Sequence, residues 1–164
     1  MPALPLNNQN LPYPDPIHPI IVHFVIAMVL FSFFCDVVGY FTQNVRLLEV
    51  SFWNMFVAAG AIFLAVIFGQ LEAGLAQVYE AAKPTLNFHT FMGWLLAVLV
   101  AVVTGWRFGI RNRNPLKIPP AYLGVATFLI CLIFLQMYLG SKLFWVYGFH
   151  VEPVIEAMKQ GISP

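Results

Sequence analysis

The histidines carry most of the chemistry this chain can offer: His18, His23, His89 and His150. Neutral imidazole is the commonest nitrogen ligand for a metal ion, and two imidazoles from facing helices suit a b-type haem. Spacing restricts which of them can act together. His18 and His23 lie five apart, about 140° around a helix, so they share a face only if His18 lies on a bent first segment. His18 and Asp36 are eighteen apart, and so are His89 and Arg107. That interval is five helical turns, which leaves each pair pointing the same way about 27 Å apart. Two helices running in the same direction would therefore bring Asp36 to Arg107 at one end and His18 towards His89 at the other. An unpaired carboxylate at mid-membrane costs roughly 2.5–3.5 kcal/mol, less near the edge. Asp36, inside FFCDVVGYF, therefore calls for a partner. A structural ion pair is preferred over a proton relay, because the relay would need a second, deeper acid. Glu72 and Lys142 offer an outer pair on depth alone. His150, in a glycine-containing segment, is the weakest ligand candidate. The competing reading for all four rings is structural, since histidines near a membrane surface keep their polar ends in water.

The elements that must position these groups are membrane spans. The chain has 164 residues, 60% hydrophobic, 16% aromatic and 9% charged, with mean hydropathy +0.81. A soluble domain carries about 25% charged residues, so a water-soluble globule is excluded. The net charge of +1 leaves no basic stripe for nucleic acid. A hydrocarbon core of about 30 Å needs roughly 20 apolar residues in helix. Four stretches qualify, at residues 20–41, 52–71, 88–107 and 121–140. Pro19, Pro84 and Pro119–Pro120 stand at or just before span starts, where a missing N–H does least harm. The expected fold is all-α: an integral membrane four-helix bundle of up-and-down topology, in which spans one and three face each other diagonally. A proline-rich arm (1–16) precedes the membrane domain (17–151), and a short tail (152–164) follows it.

Arg46 lies on the first connection, and Arg107, Arg111, Arg113 and Lys117 lie on or beside the third. The other side has Lys83, Lys142 and Lys159. The positive-inside rule then puts both termini outside, N-out and C-out, with every histidine on the outer side. Small residues in span two (Ala58, Ala59, Gly60, Ala61, Gly69) and span four (Gly124, Gly140, Ser141) read as close helix packing. Cys35 and Cys131 fall inside apolar runs and read as buried small hydrophobes. No nucleophile elbow, phosphate loop or H-E-x-x-H pair is present, so no catalytic residue is assigned.

The string His18-Pro19-Ile20-Ile21-Val22-His23-Phe24 resembles the opening H-P-hydrophobic-hydrophobic-V-H-F-P signature of a bacterial membrane-protein family catalogued as domain of unknown function 2231. Asp36 matches the aspartate on that family's first span, and His89, in NFHTFMGW, matches the histidine that opens its third. The resemblance covers about residues 16 to 151. Val25 replaces the usual proline, Tyr147 stands where the family has a closing histidine, and His150 takes a glycine position. The resemblance implies four spans, histidines on the outer side, and a redox or haem-linked role in respiratory membranes. Two readings result. One is an accessory subunit of a membrane electron-transfer system, respiratory or photosynthetic, binding haem b or a copper, iron or zinc ion through His23 and His89 with His18. The other is a structural or assembly protein without cofactor, whose arm and tail grip a membrane complex or a second copy. A small transporter ranks third, because no span is broken by Gly/Pro in mid-membrane. The setting is the lipid bilayer of a bacterial plasma membrane or a thylakoid-type internal membrane.

Overall fold

The computed structural model describes residues 17–75, 78, 80–149, 151, 157, 160 and 161. The arm 1–16, most of the tail 152–164 and His150 lie outside the described residues. Four helices make up the fold: α1 (Ile17–Thr42), α2 (Val45–Leu75), α3 (Lys83–Arg113) and α4 (Pro120–Trp145). There is no strand among the described residues. All four are long and apolar enough to cross a membrane.

The helices contain the expected spans and overrun them. α2 begins at Val45, well before residue 52, and α3 continues past Arg107 to Arg113. At 1.5 Å per residue, 26 to 31 residues give lengths of roughly 39–47 Å. That exceeds the hydrocarbon thickness, so the polar ends stay helical in the headgroup zone. Hydropathy marks where the chain is greasy, whereas backbone hydrogen bonding decides where the helix stops.

Local chemistry sets the turns. Between α1 and α2, Gln43 adopts a left-handed conformation (φ 52°), and Asn44 N–H donates to the Gly39 carbonyl at 3.2 Å. The Asn44 side-chain oxygen then accepts the Arg46 N–H at 3.0 Å, capping α2. Gly39 is required by a close approach, since a Cβ there would meet the Leu48 side chain at 2.5 Å. Between α3 and α4, Asn114 accepts from Leu116 N–H at 3.0 Å, and Pro120 opens α4.

Around the bundle α1 packs on α2, α2 on α3, α3 on α4, and α4 back on α1. α1 and α3 are therefore diagonal. The waist between the two ends is filled by Val29, Ala58, Ala97, Val100, Ala126 and Leu129. Large apolar side chains such as Phe34, Phe91, Val102 and Phe128 cover the outside, the surface that contacts lipid. Gly60 and Gly124 also look outward, because a Cβ at either meets nothing within 4 Å; on α2 and α4 the packing glycines are Gly69 and Gly140.

Candidate functional site

The buried polar side chains gather at two levels, one near each end of the bundle. At the arginine end, Asp36 and Arg107 are 0% and 1% exposed, with Arg107 Nε 3.4 Å from Asp36 Oδ1. Tyr122 Oη donates to Asp36 Oδ2 at 3.0 Å, and Arg107 donates to the Leu48 carbonyl at 3.1 Å. The guanidinium also stands 5.9 Å from the Tyr122 ring centroid. Ser32 Oγ donates to the Ser51 carbonyl at 2.9 Å and lies 3.0 Å from Ser51 Oγ. Every helix takes part. Nearer the helix ends, Arg111 grips Glu49 with two hydrogen bonds of 2.8 Å and sits 4.8 Å from the Phe52 centroid.

The histidine end is built by the same four helices. The first turn of α1 presents its backbone N–H groups without helical acceptors. One of them, on His18, donates to Glu72 Oε1 at 2.9 Å, a carboxylate set where the helix dipole favours negative charge. His18 Nδ1 lies 2.7 Å from the Ala65 carbonyl of α2. A carbonyl only accepts, so Nδ1 carries the proton and neutral His18 keeps a lone pair on Nε2. Its ring lies against Gly69, where a Cβ would come within 2.8 Å of Cε1. His89, on diagonal α3, has its ring centroid 6.5 Å from that of His18, the planes at 89°. Gly140 of α4 makes room for it, because a Cβ there would be 3.2 Å from His89 Cε1. Gln136 Nε2 donates to the His89 carbonyl at 3.0 Å and lies 3.3 Å from His89 Nε2. His89 Nδ1 and Gln136 Oε1 are both buried without a hydrogen-bond partner.

Of the three described histidines at this end, the structure brings His18 and His89 together and leaves His23 out. His18 is already helical, so the five-residue offset turns His23 to an exposed face, where Nδ1 bonds the Pro19 carbonyl at 2.6 Å. Glu72 serves the start of α1, and Lys142 stands 5.7 Å from the Tyr147 ring centroid. Tyr147, at the closing-histidine position, receives a hydrogen bond from Thr85 at 3.4 Å. That bond, helped by Lys142, lowers the phenol below its ordinary pKa. Among the described residues no three His, Cys, Asp or Glu side chains gather as a metal site.

Sequence reasoning missed Gln136, Tyr122, Ser32 and Ser51. One signal was available. The five-turn interval noted for His18/Asp36 and His89/Arg107 recurs in Ser51/Gly69 and Tyr122/Gly140, so each helix carries one member of each polar level. The levels stand about 27 Å apart, close to the thickness of a hydrocarbon core. Thr104, the one buried polar side chain between them among the described residues, is satisfied by the Val100 carbonyl of its own helix at 2.7 Å.

Four apolar crossing helices pinned at both ends by polar side chains define a polytopic helical membrane protein. A family model described as "Predicted membrane protein (DUF2231)" matches residues 14–153, and the chain belongs to that family. No curated protein matches the chain, and no solved structure does.

Proposed function

We propose that this chain is a metal-holding accessory subunit of a membrane electron-transfer system, with His18 and His89 as the ligands. The observation that carries the reading is the meeting of two imidazoles from diagonal helices at the histidine end, their centroids 6.5 Å apart. His18 Nε2 is freed by the bond from Nδ1 to the Ala65 carbonyl, and His89 Nδ1 is buried without a partner. A backbone carbonyl that fixes the tautomer of a ring is the usual support of a ligating histidine. A bare ion fits these residues better than haem b. A macrocycle must lie between its two axial imidazoles, whereas Gly69 of α2 and Gly140 of α4 press directly on these two rings. The arginine end faces the cytoplasm in this reading, so the site lies at the outer surface of a bacterial plasma or thylakoid-type membrane. There it is open to a partner subunit.

The test is elemental analysis and an absorption spectrum of protein purified without chelator. The reading expects a transition metal in stoichiometric amount, lost in His89→Ala and kept in His23→Ala, with no Soret band. Metal-free and haem-free protein would instead favour an assembly role. That second reading has its own support, because both polar levels tie all four helices together and so serve packing as well.

A further inference from the structure

We infer that a cavity on the lipid-facing side of α4, at the histidine end, holds the headgroup of an anionic phospholipid. The site is independent of the metal-holding reading. Ser141, Lys142 and Trp145 follow Tyr138 at three, four and seven residues, so the four share one face of the helix. Leu139 and Leu143 turn into the bundle, which leaves that face outward. With Val146, the four line a cavity of about 210 Å³. Pockets for whole small molecules run from roughly 300 to 1,000 Å³, so this one suits a headgroup. Tyr138, Trp145 and Val146 are exposed, and an acyl chain can run along them.

Depth and charge select the occupant. Lys142 lies twenty residues after Tyr122, about 30 Å along the helix, and two after Gly140, which packs against His89. Tyr122 belongs to the arginine level, so Lys142 reaches the headgroup zone of the opposite leaflet, the depth at which Trp and Tyr gather. Every polar side chain of the lining can donate a hydrogen bond, and Lys and Trp do nothing else. No carboxylate lines the cavity, and among the described residues none pairs with Lys142. A lysine in the last turn of a helix commonly serves the terminal carbonyls. Here the main chain does so: the carbonyls of Lys142, Leu143 and Phe144 accept from the N–H groups of Tyr147, Phe149 and Gly148 at 3.2, 3.0 and 3.0 Å. Gly148 takes the left-handed conformation of that turn (φ 63°). The ammonium stands 5.7 Å from the Tyr147 ring centroid, a contact that holds the charge in place without neutralising it. What fits is a negative group with several acceptor oxygens beside acyl chains, the phosphodiester of an anionic lipid. A zwitterionic headgroup would bring an ammonium with no carboxylate in the lining to meet it.

The experiment is native mass spectrometry of the full chain, released from detergent containing phosphatidylglycerol or phosphatidylcholine of the same acyl chains. Wild-type protein should retain phosphatidylglycerol about fivefold more strongly than Lys142→Gln does, the worth of one lysine at an anionic surface. The difference should shrink as salt is raised. Lys142→Arg should behave as wild type, and phosphatidylcholine should be retained equally by all. Lys83→Gln removes a charge from the same end, one already paired with Glu80, and should change nothing. Inorganic phosphate should not displace the lipid, and the helical circular dichroism of each variant reports folding. Equal retention of phosphatidylglycerol by wild type and Lys142→Gln would overturn the inference. So would an equal loss in Lys83→Gln, or displacement by inorganic phosphate.

Discussion

At the residue scale, the arginine end tests how a buried charge pair is tolerated. Arg107 and Asp36 lie within 3.4 Å, and Tyr122 supplies the hydrogen bond the carboxylate needs. Removing one partner of such a pair costs about 3–5 kcal/mol, because the other charge is left buried and uncompensated. Asp36→Asn and Arg107→Gln should each destabilise the bundle strongly. The double variant should recover part of the loss, read as a double-mutant cycle in detergent-denaturation titrations. Strict additivity would mean that the two groups do not interact. Tyr122→Phe keeps the ring and removes the donor, so a smaller loss of about 1–3 kcal/mol is expected. Outside the spans, Thr85→Val should return the Tyr147 phenol towards its ordinary pKa, because the hydroxyl bond is the main cause of its lowering. Spectrophotometric titration of the phenol checks that direction.

At the element scale, glycine decides how closely the helices carry their rings. Gly69→Ala puts a methyl group onto the His18 ring, an overpacking that costs about 1–3 kcal/mol and pushes the ring away from His89. Gly60→Ala, on the same helix but facing open space, should change stability by no more than about 1 kcal/mol, in the stabilising direction. Metal affinity measured on both variants separates packing at the site from packing in general: Gly69→Ala should lose it and Gly60→Ala should not. This contrast also marks what the sequence made legible. The number of helices follows from runs of apolar residues, because the solvent is set by composition. The Asp36 and Arg107 levels follow from the five-turn spacing, because both side chains are too costly to leave facing lipid. The partners from α2 and α4 could not be read that way. Ser51, Tyr122 and Gln136 are uncharged and barely alter hydropathy, and the vertical register of antiparallel neighbours depends on turns such as Gln43–Asn44. His23 was read from the sequence as a ligand together with His89, on its place near the outer surface. Its rotation away from His89 depended on α1 already being helical at His18.

At the scale of the whole molecule, the bundle is an apolar waist between two polar levels set roughly a membrane thickness apart. Among the described residues the waist carries no chain of polar side chains joining the two levels. If the arginine end is cytoplasmic, a cysteine at position 83 should label from outside in intact cells, and one at position 113 only after permeabilisation. The exposed Cys131 is first replaced by serine; the opposite pattern would reverse the orientation. Joint ligation by His18 and His89 remains the claim on which the functional account stands, and nuclear magnetic resonance of isotopically labelled histidine nitrogens with added silver(I) tests it most directly. Silver couples to the nitrogens it binds, so the account predicts splitting at one nitrogen of each ring together, with His18 Nδ1 remaining protonated. Splitting on His23 or His150, or on one of the two rings without the other, would contradict it.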